Sequence, residues 1–209
     1  MPTRREIEFP SVPKIVSEGT VGEARVEHFR VSKADAESYN MRLRWHPGTH
    51  GQEIDAGKYA RLYVAGHLVM SDTPFERRTN WDFLHEARGD VLVAGLGLGM
   101  IVHAALRKPE VTSLTIIEKS ADVIRLVGPH FKSPRLTIIN ADILEWKPPL
   151  GQKWDTLYFD IWADTCEDNL TEIAQLHQRF KGRKRAGGWM DSWQRETLRY
   201  LRTEGRRYA

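Results

Sequence analysis

Residues 91–100 read VLVAGLGLGM. Val91 to Ala94 form an apolar run, which gives way to Gly95, Gly97 and Gly99 and then to MIVHAALRK (100–108), closed by Pro109. A short run that is apolar nearly throughout predicts a strand buried on both faces. Alternating glycines between such a strand and a helix have three uses: a tight turn, close approach of a ligand to the backbone, and close packing of helix on strand. The same texture repeats downstream. LTIIEK (114–119) reads as a strand, SADVIRLVGPHF (120–131) as a helix capped by Ser120, LTIIN (136–140) and WDTLYFDIW (154–162) as strands, NLTEIAQLHQRFKGR (169–183) as a helix, GGWMDSW (187–193) as a short strand and QRETLRYLRTEGR (194–206) as a closing helix. Strands alternating with helices make right-handed βαβ units. The expected fold is α/β, a Rossmann-like doubly wound parallel sheet of order 3-2-1-4-5, truncated after the fifth strand, with ligand at the carboxyl ends of its strands.

Upstream the pattern differs. Residues 1–73 read as short strands and turns, a small N-terminal β extension, and 74–209 as the Rossmann-like domain. ARVEHFRV (24–31) alternates as a half-buried strand does, and YARLYVAGHLVM (59–70) reads as a hairpin turning at Ala65-Gly66. SDTPFERRTNWDFLHEARGD (71–90) carries helix-start residues, with Pro74 just inside, and a stop at Gly89.

The chain of 209 residues suits one domain with a small appendage. It has no run of about 18 apolar residues, so no membrane span is expected. The opening MPTRREIEFP lacks the apolar centre of a signal peptide, and one cysteine, Cys166, rules out an internal disulfide framework, so the expected location is cytoplasmic. Cys166 reads as a helix-packing residue. Residues 179–209 hold ten Lys/Arg against three Asp/Glu. Such a basic segment could meet nucleic acid or an acidic partner, although a solvated helix face is favoured. His46 and His50 lie in a Pro-Gly loop, and no metal site is expected from them.

Acids stand at the strand ends. Glu118 ends the second strand, 19 positions after Gly99, where a carboxylate can accept both ribose hydroxyls of a nucleoside. Asp142, in NADILEW, could accept from an adenine amino group with Ile143 against the ring; as a turn residue it could equally cap its own loop. Asp160 ends the fourth strand. No P-loop lysine follows the glycines, and G-x-G-x-G departs from the dinucleotide fingerprint G-x-G-x-x-G. Acids without a phosphate-binding base suit a cationic ligand with an adenosine moiety, such as S-adenosylmethionine.

VLVAGLGLG, IIEKS and NADILEW together resemble the glycine-rich, ribose-binding and adenine-binding motifs of the class I S-adenosylmethionine-dependent methyltransferase superfamily, over about residues 89–193. Within it the chain is nearest to the spermidine synthase-like branch. Val93 is apolar where methyltransferases often carry an acid. GQEIDAGKYARLYVAGHLVMSD (51–72) is similar to the segment before the synthase core, with Gln52 at the glutamine near the cofactor sulfur and Gly66 at the hairpin glycine. Two departures count against aminopropyl transfer. Asp160 and Asp164 stand one residue further apart than the synthase Asp-x-x-Asp, and His85 lacks an adjacent tyrosine.

The resemblance implies S-adenosylmethionine, or its decarboxylated form, as cofactor, held by Gln52, Gly95, Gly97, Gly99, Glu118, Asp142, Ile143 and Asp160. Asp160 and Asp164 are the candidate catalytic carboxylates, able to take a proton from an amine or hold an ammonium; a cap at the start of the next helix is the alternative for Asp164. Trp162 could wall the pocket by cation–π attraction or simply pack in the core. Asp191 and Trp193 fall near the same rim. The expected function is methyl transfer to a small molecule, with aminopropyl transfer or a non-catalytic cofactor-binding module as alternatives. A homodimer is left open by the hairpin edge.

Overall fold

The computed structural model describes residue 9, residues 11–45 and residues 52–207. His46 and His50 lie outside them. The elements run β1 (Gly19–Val21), β2 (Ala24–Val31), α1 (Lys33–Leu43), β3 (Gly57–Val64), β4 (His67–Ser71), α2 (Pro74–Thr79), α3 (Trp81–Glu86), β5 (Gly89–Ala94), α4 (Met100–Leu106), β6 (Val111–Glu118), α5 (Ala121–Val127), β7 (Leu136–Asn140), β8 (Trp154–Phe159), α6 (Asn169–Phe180), β9 (Lys184–Ser192) and α7 (Arg195–Arg207). Two sheets form: an antiparallel one, β1-β2-β3-β4, and a parallel one, β7-β6-β5-β8-β9. The second is the expected 3-2-1-4-5 order. Among the described residues no helix is long and apolar enough to cross a membrane.

Alternation along the central strands builds a core on each face of the parallel sheet. Val91 and Val93 of β5, with Ile116 and Tyr158, pack into one core with α3, α4 and α5. Leu92 and Ala94, with Ile117, Leu157 and Phe159, pack into the other against Leu176 and Phe180 of α6. The N-terminal sheet joins the first core through Ala24, Val26, Ala60 and Leu62. Its β1–β2 turn docks on α5, where the backbone N–H of Glu23 donates to Asp122 Oδ2 at 2.8 Å.

Three expectations are corrected. Residues 33–43 are a helix, not strand or turn; Ser32 caps it by accepting from Asp35 N at 3.1 Å, but only Ala36 is buried, so no apolar stripe announces it. The helix expected from Pro74 breaks at the fully buried Asn80, whose Nδ2 donates to the Glu76 carbonyl (2.9 Å) and whose Oδ1 accepts from the Tyr158 hydroxyl (3.1 Å). Gly89 opens β5 instead of ending that helix. The predicted short fifth strand is nine residues long.

Candidate functional site

The glycine loop is fixed from two sides. Gly95 N–H donates to the Ile117 carbonyl and Asp160 N–H to the Ala94 carbonyl, each at 2.9 Å. Gly95 adopts φ +101°, and a Cβ there would lie 2.0 Å from the Asp160 carbonyl oxygen. That crossing of two backbones is why the position requires glycine. A side chain at Gly97 would meet the Met70 sulfur, and one at Gly99 the Phe131 ring. The protein itself therefore fills the space beside each glycine, while the backbone of residues 95–97 faces a cavity.

Glu118 braces this loop. Its Oε2 accepts from Leu96 N at 2.8 Å and its Oε1 from Ser120 N at 2.7 Å. Asp142 caps its own turn by accepting from Leu144 N (2.9 Å), and pairs with Lys119 at 2.8 Å. The Lys119 partnership, together with that cap, holds the Asp142 carboxyl below the usual range. Lys119 is 78% exposed, so this pair is readily exchanged for another partner. Arg179, on α6, donates to the carbonyls of Ile143 (2.7 Å), Leu144 and Trp146 (2.5 Å), and so holds the 142–146 turn in place.

These elements surround a cavity of about 610 Å³ at the carboxyl ends of β5, β6, β7 and β8. Leu62, Val64, Val69 and Met70 of the N-terminal sheet form one apolar wall; Ile117, Ile143 and Leu144 form another. Trp162 lines it and donates from Nε1 to Glu172 at 2.7 Å. Trp193 lines it and donates to Thr79 Oγ1 at 2.9 Å. The carboxylates are Glu23, Glu76, Glu118, Asp142, Asp160 and Glu172; the basic residue is Lys119, already paired. Burial pushes Glu76 up to about 7, and burial together with the charge of Glu76 pushes Asp160 up to about 8.

The structure thus brings Gly95, Gly97, Glu118, Asp142, Ile143, Asp160, Trp162 and Trp193 to one cavity. Gln52, Gly99 and Asp164 are not among its lining residues. Asp164 is exposed, and its backbone carbonyl accepts from Asn169 Nδ2 at 2.9 Å. Asp191 pairs with Arg195 at 2.5 Å and lines a smaller neighbouring cavity. Cys166 is exposed rather than packed. Among the described residues no group of three His, Cys, Asp or Glu could hold a metal ion. Glu76 and Glu172 escaped the sequence reading, because each sits in a helix where a glutamate ordinarily marks a solvated face.

No family model and no curated protein matches the sequence. Solved structures do match. A spermidine synthase from Thermotoga maritima aligns at TM-score 0.51 and 15% identity, over 85% of this chain and 56% of that one. An S-adenosylmethionine-dependent methyltransferase from Mesorhizobium loti aligns at 0.43 and 17%, over 55% and 52%. The N-methyltransferase NodS from Bradyrhizobium japonicum aligns at 0.46 and 17%, over 58% and 68%. The chain spans about half the length of the first two. At these identities the likeness is one of fold alone, a Rossmann-like α/β fold with a parallel sheet.

Proposed function

We propose that this chain is an S-adenosylmethionine-dependent transferase and that it moves a methyl group to a small-molecule acceptor. The observation that carries the reading is the charge of the cavity. Six carboxylates line it, and Lys119 is bound to one of them. Such a site disfavours phosphates and suits a ligand bearing a sulfonium and an ammonium. Its size and its mixture of apolar wall and few polar groups also fit a ligand of that kind.

The chain's own residues divide the work. Each Glu118 oxygen keeps acceptor capacity beyond its one backbone bond, enough for two ribose hydroxyls. Ile143 and Leu144 offer an apolar face to the base, and Asp142 can exchange Lys119 for an amino group. The backbone of Gly95 to Gly97 lets the ligand lie against the end of β5. When bound, S-adenosylmethionine supplies an electrophilic methyl carbon on a positive sulfur. Asp160 is the carboxylate that would align or deprotonate the acceptor. A cytoplasmic setting fits this chemistry.

Aminopropyl transfer with the decarboxylated cofactor is the second reading. One feature favours it: the β3–β4 hairpin, which the sequence likens to the synthase extension, supplies a wall of the cavity. Calorimetric titrations with S-adenosylmethionine, its decarboxylated form and NAD separate the cases. Preference for the carboxylated form is the expected result. Preference for the decarboxylated form would move the assignment to aminopropyl transfer, and tight binding of NAD alone would overturn both. If the cofactor binds and no acceptor class is turned over, the chain is a cofactor-binding module.

A further inference from the structure

Beside the 142–146 turn lies a second cavity, of about 570 Å³. Of its lining residues only Leu144 also lines the larger cavity, so the turn is a partition between the two. The charge of the second cavity is opposite. Lys147, Arg179 and Arg183 line it against one acid, Glu145. Among the described residues none of these three cations is in an ion pair. Arg185, two positions after Arg183, shows the contrast: it is paired with both Asp90 and Asp155.

Main-chain carbonyls fix the two guanidiniums without neutralising them. Arg179 donates to the carbonyls of Ile143, Leu144 and Trp146. Arg183 donates from Nη1 to the carbonyls of Pro149 (2.8 Å) and Gln152 (3.3 Å), which spends both hydrogens of that nitrogen. Its Nη2 and Nε have no partner among the described residues. They share one edge of the guanidinium and present two parallel N–H groups, the pattern that two oxygens of a carboxylate or phosphate match. Next to this edge the lining is apolar. Leu150 is 100% exposed, and the Trp146 indole packs on that of Trp154 with ring centroids 6.2 Å apart. A fork already held in place loses little freedom when it binds.

We propose that this cavity is a binding site for a small organic oxyanion, a carboxylate or phosphate carried on an apolar body. Arg183 grips the oxyanion, Lys147 and Arg179 supply further positive charge, and Trp146 and Leu150 cover the body. The same charge repels a sulfonium or an ammonium, so the occupant is neither the proposed cofactor nor an amine acceptor. The site stands or falls apart from the transferase reading.

The test titrates phenyl phosphate, benzoate, benzyl alcohol and inorganic phosphate into the full chain, followed by chemical shifts, with and without S-adenosylhomocysteine. Phenyl phosphate or benzoate should bind, shift the Trp146 indole N–H, and do so equally when S-adenosylhomocysteine is present. Whichever of the two binds more tightly identifies the headgroup, and either result supports the proposal. Benzyl alcohol and inorganic phosphate, each lacking one half of the ligand, should bind at least about tenfold more weakly. Arg183→Ala, confirmed as folded by its melting curve, should cost roughly tenfold in oxyanion affinity. Glu145→Gln supplies a readout that misfolding cannot imitate: removal of the one acid should tighten oxyanion binding. Equal binding of benzyl alcohol, an unchanged affinity in Arg183→Ala, or weaker binding in Glu145→Gln would overturn the proposal. So would displacement of phenyl phosphate by S-adenosylhomocysteine, which would place the oxyanion in the larger cavity. Failure of the wild type to bind any adenosyl ligand would overturn the transferase reading and leave the oxyanion titrations to decide this site by themselves.

Discussion

Glu118, the last residue of β6, accepts a hydrogen bond from the backbone N–H of Leu96 across a distance of 2.8 Å. The residue best placed to bind a ribose is therefore also the brace of the glycine loop. Glu118→Ala should abolish S-adenosylmethionine binding and lower stability by about 1–3 kcal/mol, the cost of leaving the Leu96 and Ser120 donors unpaired. Glu118→Gln should restore part of the stability and little of the binding, since an amide cannot accept at both ends. Calorimetry with parallel melting curves checks both. An unchanged affinity in the alanine variant would remove Glu118 from the site.

Asp72 is fully buried and ties three parts of the N-terminal half together. It accepts from Val12 N at 3.0 Å, from Ala60 N at 2.6 Å and from Arg77 at 3.0 Å. Asp72→Ala would strand two backbone donors and a guanidinium, and breaking a buried pair from one side costs about 3–5 kcal/mol. Because α2 carries both Arg77 and Glu76, this variant should also disturb the wall of the cavity that Glu76 lines. Chemical denaturation measures the loss; a midpoint shift too small for 1 kcal/mol would mean that water replaces the carboxylate.

What the sequence discloses follows from how local each cause is. The strand–glycine–helix texture at 91–108, the Ser120 cap and the apolar strands are short-range patterns, and from them the parallel sheet and its order were legible. So was the convergence of Glu118, Asp142 and Asp160, since strand ends of one parallel sheet meet at one edge. Tertiary causes were not legible. Helix α1 has a cap but no stripe, Asn80 breaks a helix because Tyr158 reaches it, and Glu76 looks like any surface glutamate until the N-terminal sheet encloses it. Asp164 shows the converse: close in sequence to Asp160, it is carried to the exposed side by the chain's path into α6.

Arg179 offers a test of positioning without ligand contact. It is exposed, yet its guanidinium holds three carbonyls of the 142–146 turn. Arg179→Ala should release that turn and weaken S-adenosylmethionine binding by about 1 kcal/mol, in keeping with the net worth of such bonds. Arg179→Lys, lacking the planar fork, should recover only part of it. The effect should fall on cofactor affinity rather than on turnover at saturation. A variant with reduced turnover and normal affinity would count against this role.

Stability should depend on pH in a direction set by two carboxyls of the cavity, Glu76 and Asp160, that burial raises. Unfolded, Glu76 and Asp160 ionise near pH 4; folded, at about 7 and about 8. Between those limits the native state holds protons that the unfolded chain has lost, so stability falls as pH rises. His177 acts oppositely. Burial lowers it from 6.5 to about 4, so between those values the unfolded chain holds the extra proton and stability rises with pH. Above pH 6.5 that compensation is complete, and the carboxylates dominate up to about pH 8. The melting temperature of the wild type should therefore decline from pH 6.5 to 8. Asp160→Asn, which has no charge to bury, should flatten the decline and melt above the wild type at pH 8 while losing turnover. A wild-type curve level across that window would mean that both carboxylates ionise freely in the folded protein, and a less stable Asp160→Asn at pH 8 would mean that a cation already compensates them.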